Sequence, residues 1–578
     1  MSRGSDFREP DDVGRGGATG RPVAIVDPRG DAPLERAQLA ARPPSLEGRR
    51  VLLFDNGKLG AEYGPYEPVF RIFEQHLRDQ HGALVARHRH NLLDTFDRAG
   101  AARILAAEVR PHRPDAVVIG LCDAGVTLPS TLLAVELERA GIPSVLVCNE
   151  LGTAFAGTIA AGFAPRLPSV RFDAPRSATA QQIEAEATAV TGALISALTS
   201  SPESAPPVGD LADRPDSRLR TVDGRIELTP RRAGTAGDDP LLYAAELYDA
   251  LGDAHLTDGL PVIPPVPLLV DEMLAATDRS PEYVLMAECT PSGAPITIAK
   301  LAVNAVMAGC RPEYFPIVVA AMEAMCEPRY RLPFALVTTH PAGNAVVVSG
   351  PLATQLGIQS SYGCLGPGFR ANATIGRALT LTAINVARAI PGVSDLSALG
   401  SPAELTYCFA EDVSASPWTG LHEDLYGPET TSVTVLKAEA PRGQLDHRAK
   451  SAEGFLTGLA AGMTGLLSNN AYHPCEILVI LNPQHASLVA SEGWSKQDVQ
   501  RFLFERARNP RELLQGRGTS PSWPAEWHTL DRVPIVHDPS EIVVVVAGGP
   551  APQSMVALPW GLSRAVSRPV RPTRQRVD

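Results

Sequence analysis

Lysine, aromatic residues and long apolar runs are all scarce in this chain of 578 residues, of which 5% are aromatic and 20% are charged. No window approaches the roughly 18 uninterrupted apolar residues of a membrane helix, so we expect no membrane partner. The N-terminal stretch lacks the apolar core of a secretory signal, and we therefore expect a cytoplasmic protein. Because 64 acidic residues outnumber 52 basic ones, the net charge of −12 argues against a nucleic-acid partner.

The eight cysteines are spread over the chain without a C-x-x-C pair, so neither a disulfide framework nor a zinc motif is predicted. The H-E-x-x-H and G-x-S-x-G patterns of metalloproteases and serine hydrolases are absent as well. We therefore predict no metal site, assign no cofactor, and expect most thiols to be reduced and buried. The few lysines are each worth inspecting: Lys58, Lys300, Lys437, Lys450 and Lys496.

Short apolar runs alternate with helical patterns from Arg49 onwards, which predicts an α/β fold whose first domain holds a doubly wound, mostly parallel sheet. In the second region the predicted strands are 335–338, 345–348, 477–481 and 542–547. Composition shifts set the predicted boundaries. They are a loose tail over 1–45, an α/β domain over 46–200, a linker over 201–238, a larger mixed α/β domain over 239–562 and a basic tail over 563–578.

Polar side chains follow three predicted strands of the first domain at the points where those strands end. They are Asp55, Asn56 and Lys58, then Cys122 and Asp123, then Cys148, Asn149 and Glu150. The carboxyl ends of strands in an open sheet form its usual ligand site, so we assign a substrate-binding role to Asp55, Asn56 and Lys58 and a catalytic role to Cys122 and Asp123. The alternative is that these residues only shape turns, and that the cysteines are structural.

Two of these loops carry a resemblance to a known family. The UGSC family is similar to this chain in three segments, which are LFDNGK over 53–58, VIGLCDAGVT over 118–127 and VELERAGIP over 135–143. That family is named for a selenocysteine- or cysteine-containing motif, and the resemblance covers about residues 35–180. Its two redox positions correspond to Ala124 and Thr127 here, whereas Asp123 and Gly125 match. The resemblance implies thiol chemistry, with Cys122 acting alone or the domain retaining only a binding role.

In the second domain, a lysine and several arginines suggest an anion site. Lys300 and Asn304 lie four residues apart on one face of a strongly apolar helix, where a lysine needs a carboxylate, a phosphate or a substrate. The Gly-rich stretch over 362–377 carries Arg370, Asn372 and Arg377 at a predicted helix start, which favours anion binding. The alternatives are a structural ion pair for Lys300 and a structural loop for the Gly-rich stretch.

Four further residues of the second domain are candidates for catalysis. Cys364 and Cys408 are candidate thiols, and His340 and His422 are candidate proton carriers. The wording KLAVNAVMAGCRPEYFP and GFRANATIGRAL, within about residues 255–510, is similar to an uncharacterised family whose members accompany UGSC-type proteins. That resemblance implies no particular reaction.

Three hypotheses for function follow. The first is an enzyme of sulfur chemistry that acts on a small anionic metabolite by thiol-dependent reduction, sulfur transfer, or formation or cleavage of a carbon–sulfur bond. The second is a thiol-independent lyase or hydratase of specialised metabolism with a lysine or histidine base. The third is a non-catalytic binding or assembly protein with a degenerate redox domain. In each case the expected partners are a small molecule and, as an option, further copies of the chain.

Overall fold

The computed structural model describes residues 24–31, 38–59, 66–93, 95, 97–123, 125–163, 167–175, 177–200, 218–229, 240–519 and 521–571. Ala124, one of the two positions that correspond to the family's redox pair, lies outside the described residues, as do most of the predicted N-terminal tail and linker. Within the described ranges, no helix is long and apolar enough to cross a membrane.

The first domain contains a five-stranded parallel sheet. Its strands, in chain order, are β2 (Arg50–Asp55), β3 (Leu84–Arg89), β4 (Ala116–Cys122), β5 (Ser144–Cys148) and β6 (Ser169–Arg171). Their order across the sheet is β3-β2-β4-β5-β6, and every neighbouring pair is parallel. The connecting helices are α1 (Pro68–His81), α2 (Arg98–Ile104), α3 (Thr127–Arg139), α4 (Glu150–Phe163) and α5 (Ala180–Thr199).

Helices cover both faces of this sheet, which confirms the predicted doubly wound fold. Val51 and Leu53 face one way and pack with α1 and α5, whereas Leu52 and Phe54 face the other way and pack with α2, α3 and α4. The alternation follows from the two-residue period of a strand, and burial on both faces explains why the strands read as continuous apolar runs.

The second region is built on two four-stranded sheets. The first has the order β12-β11-β13-β20, and the second has the order β14-β19-β15-β18. Their strands are β11 (Gly343–Ser349), β12 (Cys408–Ala410), β13 (Ser432–Ala438), β14 (Arg442–Leu445), β15 (Ile477–Leu481), β18 (Ile542–Val546), β19 (Gln553–Ala557) and β20 (Val566–Pro569). Two two-stranded ribbons complete the strands, β9 (Val284–Cys289) with β10 (Ala294–Thr297) and β16 (Arg508–Pro510) with β17 (Arg532–Pro534).

The two large sheets share an apolar layer, and helices cover their other faces. Val347 and Leu436 of the first sheet pack in one cluster with Ile480 of the second. The helices are α6 (Pro240–Asp253), α7 (Pro267–Leu274), α8 (Ile298–Ala308), α9 (Phe315–Met325), α10 (Leu332–Ala335), α11 (Pro351–Gln355), α12 (Arg370–Asn385), α13 (Leu421–Tyr426), α14 (Ala452–Gly462), α15 (Pro483–Ser491), α16 (Lys496–Arg506) and α17 (Arg511–Leu514). The mixed α/β class predicted for this region is therefore confirmed.

The two regions are in direct contact. A single apolar cluster contains residues of α3 and α4 together with α8, α9 and α12. Arg98 adds a polar link, since its Nε lies 2.7 Å from Glu136 in α3 and its Nη1 lies 2.8 Å from Glu288 in β9. The face of the first domain that carries α3 and α4 is thus covered by the second region.

Several short elements differ from the sequence-based expectation. Strand β1 (Ala24–Val26) pairs with β8 (Arg225–Leu228), which pairs with β7 (Leu219–Val222), although we expected a tail and a linker there. β20 likewise lies in the expected basic tail and pairs with β13. Strands of three or four residues are too short to leave a clear hydrophobic period. The predicted strand over 335–338 is wrong: Leu332–Ala335 is a helical turn, with Pro333 in its first turn, where proline is tolerated.

Candidate functional site

The edge predicted from the first-domain loops coincides with the switch point of the parallel sheet. The chain proceeds from β2 to β3 on one side and to β4 on the other, so the loops after β2 and β4 flank the usual ligand crevice. Lys58 and Asp123 lie there, with Nζ 3.7 Å from Oδ2. Asp55 Oδ1 instead accepts hydrogen bonds from the backbone N–H groups of Gly57 and Leu59, which gives Asp55 a structural role in the turn.

The structure places a second thiol beside Cys122. Cys122 and Cys148 are register partners on β4 and β5, both are fully buried, and their thiols are hydrogen-bonded. That bond, together with burial, raises the pKa of Cys148 well above its usual value. Asn56 is also fully buried, and its Nδ2 donates to Ser130 Oγ at 2.9 Å and to the Leu121 carbonyl at 3.1 Å. Asn56 therefore ties β2 to the end of β4.

A histidine of the second region, His473, lies within reach of the charge of Lys58. Burial, and then the positive charge of Lys58, lower the pKa of His473 to about 4. His473 Nδ1 lies 3.1 Å from Ser522 Oγ. His473 was not among the sequence-predicted site residues, because no motif in the residues around it relates it to Lys58.

The proposed anion-binding pair Lys300 and Asn304 contacts the N-terminal segment instead. Lys300 Nζ lies 3.2 Å from the Asp27 carbonyl and 3.4 Å from Asp31 Oδ1. Asn304 Nδ2 donates to the Pro28 carbonyl at 3.2 Å. Both residues are therefore accounted for by contacts within the chain, as in the structural alternative.

The Gly-rich stretch also holds its polar groups within the chain. Arg377 makes a bidentate ion pair with Asp258, at 2.6 and 2.8 Å, and Arg370 Nε donates to the Gly309 carbonyl at 3.0 Å. Asn372 bridges Gln359 and the Cys364 carbonyl through its amide. Arg377 and Asn372 are thus engaged within the chain, whereas the exposed Arg370 makes this one bond through Nε.

The remaining catalytic candidates lie apart from one another. Cys364 and Cys408 are buried in two different apolar clusters, and burial raises the pKa of both thiols, which disfavours the reactive thiolate. His340 Nε2 lies 3.1 Å from Glu439 Oε1. None of the three side chains contacts another catalytic candidate within the described ranges.

His422 belongs to a buried polar network. Its Nδ1 lies 2.8 Å from Ser349 Oγ, and that hydroxyl donates to Glu411 Oε2 at 2.5 Å. All three residues are at most 5% exposed. Burial raises the pKa of Glu411 and lowers that of His422, so burial opposes the charged form of each. The network ties β11 to the loop after β12 and to α13.

The second region contains an open cavity of about 880 Å³. Its wall is formed by α6, by the C-terminal half of α12, by the ends of β11 and β13, and by the loop over 389–405. Hydroxyl and amide groups line it, from Thr338, Asn344, Thr380, Ser397 and Ser401.

Lys437 lines this cavity and is only 8% exposed. It lies on β13 on the same face as Val433 and Val435, whose side chains pack in the apolar core. Among the described residues, its Nζ has neither a hydrogen bond nor an ion pair, and burial lowers its pKa. An amine that is buried, unpaired and next to open volume is a typical feature of catalytic lysines.

Two of the three carboxyl groups that line the cavity act on Lys437. Asp395 and Glu404 both act on Lys437 through their charges, which raise its pKa but do not offset the effect of burial. Burial also raises the pKa of Asp395, although the Ser397 N–H donates to it at 3.1 Å. Glu404 accepts a hydrogen bond from the Ser397 hydroxyl at 2.9 Å and caps a helical turn through the Ser401 N–H at 2.8 Å. The cavity is also lined by His255 and by Asp258, whose charge is paired with Arg377.

The special position of Lys437 is partly visible in the sequence, whereas that of the two carboxyl groups is not. Val433, Val435 and Lys437 alternate in a stretch that we did not predict as a strand, and a strand there places a lysine on the apolar face of a sheet, where it must have a special role or a partner. The carboxyl groups gave no comparable signal, because Asp395 lies in a loop and Glu404 belongs to a capping box with Ser401, a pattern whose usual role is structural.

Comparison with known proteins bears on the first region alone. No curated protein and no solved structure matches the chain. The model of the UGSC family matches residues 24–200, so this segment, with its five-stranded sheet and its Lys58–Asp123 edge, is similar to a UGSC-type domain.

Proposed function

We propose that the chain is an enzyme whose active site is the cavity of the second region, with the amine of Lys437 as the reacting base or nucleophile. The single observation that carries the proposal is the buried, unpaired Nζ of Lys437 at the wall of an open cavity. Burial of an amine without a partner costs free energy, and such a cost persists at sites where the group has a function.

The reaction class that fits these groups is thiol-independent lyase or hydratase chemistry. A lysine of lowered pKa holds a larger fraction of neutral amine at neutral pH, which makes it a better base. A carboxyl of raised pKa, here Asp395, is better able to return the proton. The hydroxyl groups of Ser397 and Ser401 would orient the substrate through hydrogen bonds.

The lining of the cavity also limits the substrate. Lys437 is the only lysine among the described lining residues, which include no arginine, whereas Asp395 and Glu404 are both acidic. The third lining carboxylate, Asp258, is neutralised by Arg377. We therefore propose a small polar metabolite without a strong negative charge, in place of the anionic one expected from Lys300, Arg370 and Arg377.

Activity-based metabolite profiling tests the proposal. The purified chain is incubated with a small-molecule extract, and mass spectrometry records which compounds disappear and which appear. We expect turnover by the wild type and by a control in which the exposed Lys450 is changed, Lys450→Met, and no turnover by Lys437→Met. Equal turnover by Lys437→Met would contradict the proposal. Binding without turnover by the wild type would favour the binding-protein alternative.

Thiol chemistry is a second candidate, and the contact between Cys122 and Cys148 favours it. Two hydrogen-bonded thiols on neighbouring strands supply the attacking and resolving groups that dithiol exchange requires. The matched variants are Cys122→Ser and Cys148→Ser, with the core thiol Cys289→Ser as the control. Loss of turnover in the first two alone would favour sulfur chemistry. Unchanged turnover in all three would leave Lys437 as the reacting group.

A further inference from the structure

We infer that Lys437 acts as a nucleophile that forms an imine with a neutral, hydroxylated aldehyde or ketone, an inference that rests on the proposed function. Such a substrate places its carbonyl carbon next to the Lys437 amine and its hydroxyl groups against the polar wall of the cavity. The contacts and charges of the lining residues support each half of this statement.

The sheet holds the Lys437 side chain at the wall of the cavity. Lys437 and Asn344 are register partners on β13 and β11, and Asn344 Oδ1 accepts a hydrogen bond from the Tyr330 hydroxyl at 2.7 Å. The rigid sheet therefore fixes the origin of the Lys437 side chain, while the amine itself has no partner among the described residues. An amine without a hydrogen bond or an ion pair is free to attack a carbonyl carbon.

The side chains that line the cavity determine which carbonyl compound fits there. An anionic 2-oxo acid needs a cation for its carboxylate, but no arginine lines the described wall, and Lys437 itself would be consumed as the imine. The one other basic side chain of the wall, His255, is outnumbered by three carboxyl groups. Hydroxyl groups have several partners, in the side chains of Thr338, Asn344, Thr380, Ser397 and Ser401. A volume of about 880 Å³ is ample for a molecule of the size of a sugar.

The step balances with groups of the cavity. The neutral amine attacks the carbonyl carbon and forms a carbon–nitrogen bond. The carbonyl oxygen then leaves as water after it has gained two protons, one from the amine and one from a carboxylic acid. Loss of the second amine proton to that carboxylate gives the neutral imine. Asp395 is the acid, because burial keeps it protonated to a higher pH than an exposed aspartic acid. No oxidant or reductant is required.

Reductive trapping on the full chain tests the inference. The protein is incubated with glyceraldehyde, a neutral hydroxylated probe, in the presence of cyanoborohydride, and peptide mass spectrometry locates the reduced adduct. Two other lysines are internal controls, the exposed Lys450 and the ion-paired Lys300. We expect the adduct to form on Lys437 faster than on either control. Pyruvate serves as the anionic probe and should label Lys437 less than glyceraldehyde does.

Variants separate this inference from the proposed function. Lys437→Arg keeps a positive charge at this position but forms no stable reduced adduct, so labelling should be lost. Asp395→Asn should slow labelling of Lys437 while leaving Lys450 unchanged. Labelling of Lys437 no faster than that of Lys450 would overturn the imine, as would preferential labelling by pyruvate. If turnover is lost in Lys437→Met although no imine is trapped, the proposed function stands with Lys437 as a base.

Discussion

Lys437 and Asn344 lie opposite each other on antiparallel strands β13 and β11, and both side chains border the same cavity. The amide oxygen of Asn344 is taken by the Tyr330 hydroxyl, which is itself fully buried. The amine of Lys437 thus lies beside a neighbour whose hydrogen-bonding oxygen is already engaged. A buried charge in such surroundings destabilises the fold, and its presence indicates a function.

Removal of this amine should stabilise the protein. The pKa of Lys437 is lowered overall, which means that burial outweighs the attraction of Asp395 and Glu404 for the charged form. Lys437→Met fills a similar volume without a charge, and we expect the free energy of unfolding to rise by about 1 kcal/mol. Urea unfolding at neutral pH measures this change. A loss of stability of similar size would show that the two carboxyl groups stabilise the lysine after all.

Arg377 should be essential for stability, unlike Arg370. The side chain of Asp258 is only 1% exposed. Arg377→Met removes its bidentate partner and leaves a buried carboxylate without a cation. We expect that variant to lose about 3 kcal/mol of unfolding free energy. Arg370 is exposed and makes one hydrogen bond to a backbone carbonyl, so Arg370→Met should lose less than about 1 kcal/mol. Equal losses would contradict the structural assignment of Arg377.

The segment before β2 should depend on one buried ion pair. Arg42 and Glu138 have side chains that are 1% and 0% exposed, and they are joined at 2.7 and 2.8 Å. Arg42→Met should reduce the unfolding free energy by about 3 kcal/mol, because Glu138 stays buried without its cation. The matched control is Arg49→Met, which removes a surface pair with Asp115 and should change stability by less than about 1 kcal/mol. Guanidinium unfolding of both variants checks the difference.

Burial of His473, together with the charge of Lys58, should make stability depend on pH. In the folded protein the pKa of His473 is about 4, below the value of about 6.5 for an unperturbed histidine. The folded state therefore binds fewer protons than the unfolded state between these values, so stability is present above pH ~6.5 and is lost as the pH falls towards 4. His473→Asn should flatten this part of the curve.

Melting temperatures at pH 7 and pH 4.5 measure that effect. The control variant is His447→Asn, which changes an exposed histidine and should leave the wild-type slope unaltered. If His473→Asn and the wild type lose the same number of degrees between these pH values, His473 is not held neutral by burial and by Lys58.

Much of the architecture was predictable, because the strands of the first domain are buried on both faces. Runs such as Val117–Ile119 leave a strong signal, and the helices between them fix a parallel sheet. The short strands β1 and β20 were not predictable, since their partners β8 and β13 are distant in sequence. A three-residue strand is defined by its partner and has too few residues to show a period of its own.

The candidate site was predictable only in part. The edge at Lys58 and Asp123 follows from sheet topology, which the alternation of strands and helices already indicates. The contact of Cys122 with Cys148 depends on the register of β4 against β5, which local wording does not give. The cavity joins Lys437 to Asp395 and Glu404, and only the folded chain brings those groups together.

The most direct test of the central claim is the reactivity of the Lys437 amine itself. Competitive acetylation with acetic anhydride over a range of pH, followed by peptide mass spectrometry, gives the titration midpoint of each lysine in the folded chain. We predict that Lys437 reacts with a midpoint below the usual lysine value of about 10.4 and below that of the exposed Lys450. A midpoint equal to that of Lys450, or no reaction of Lys437 while the protein is folded, would contradict the assignment of this amine to an open active site.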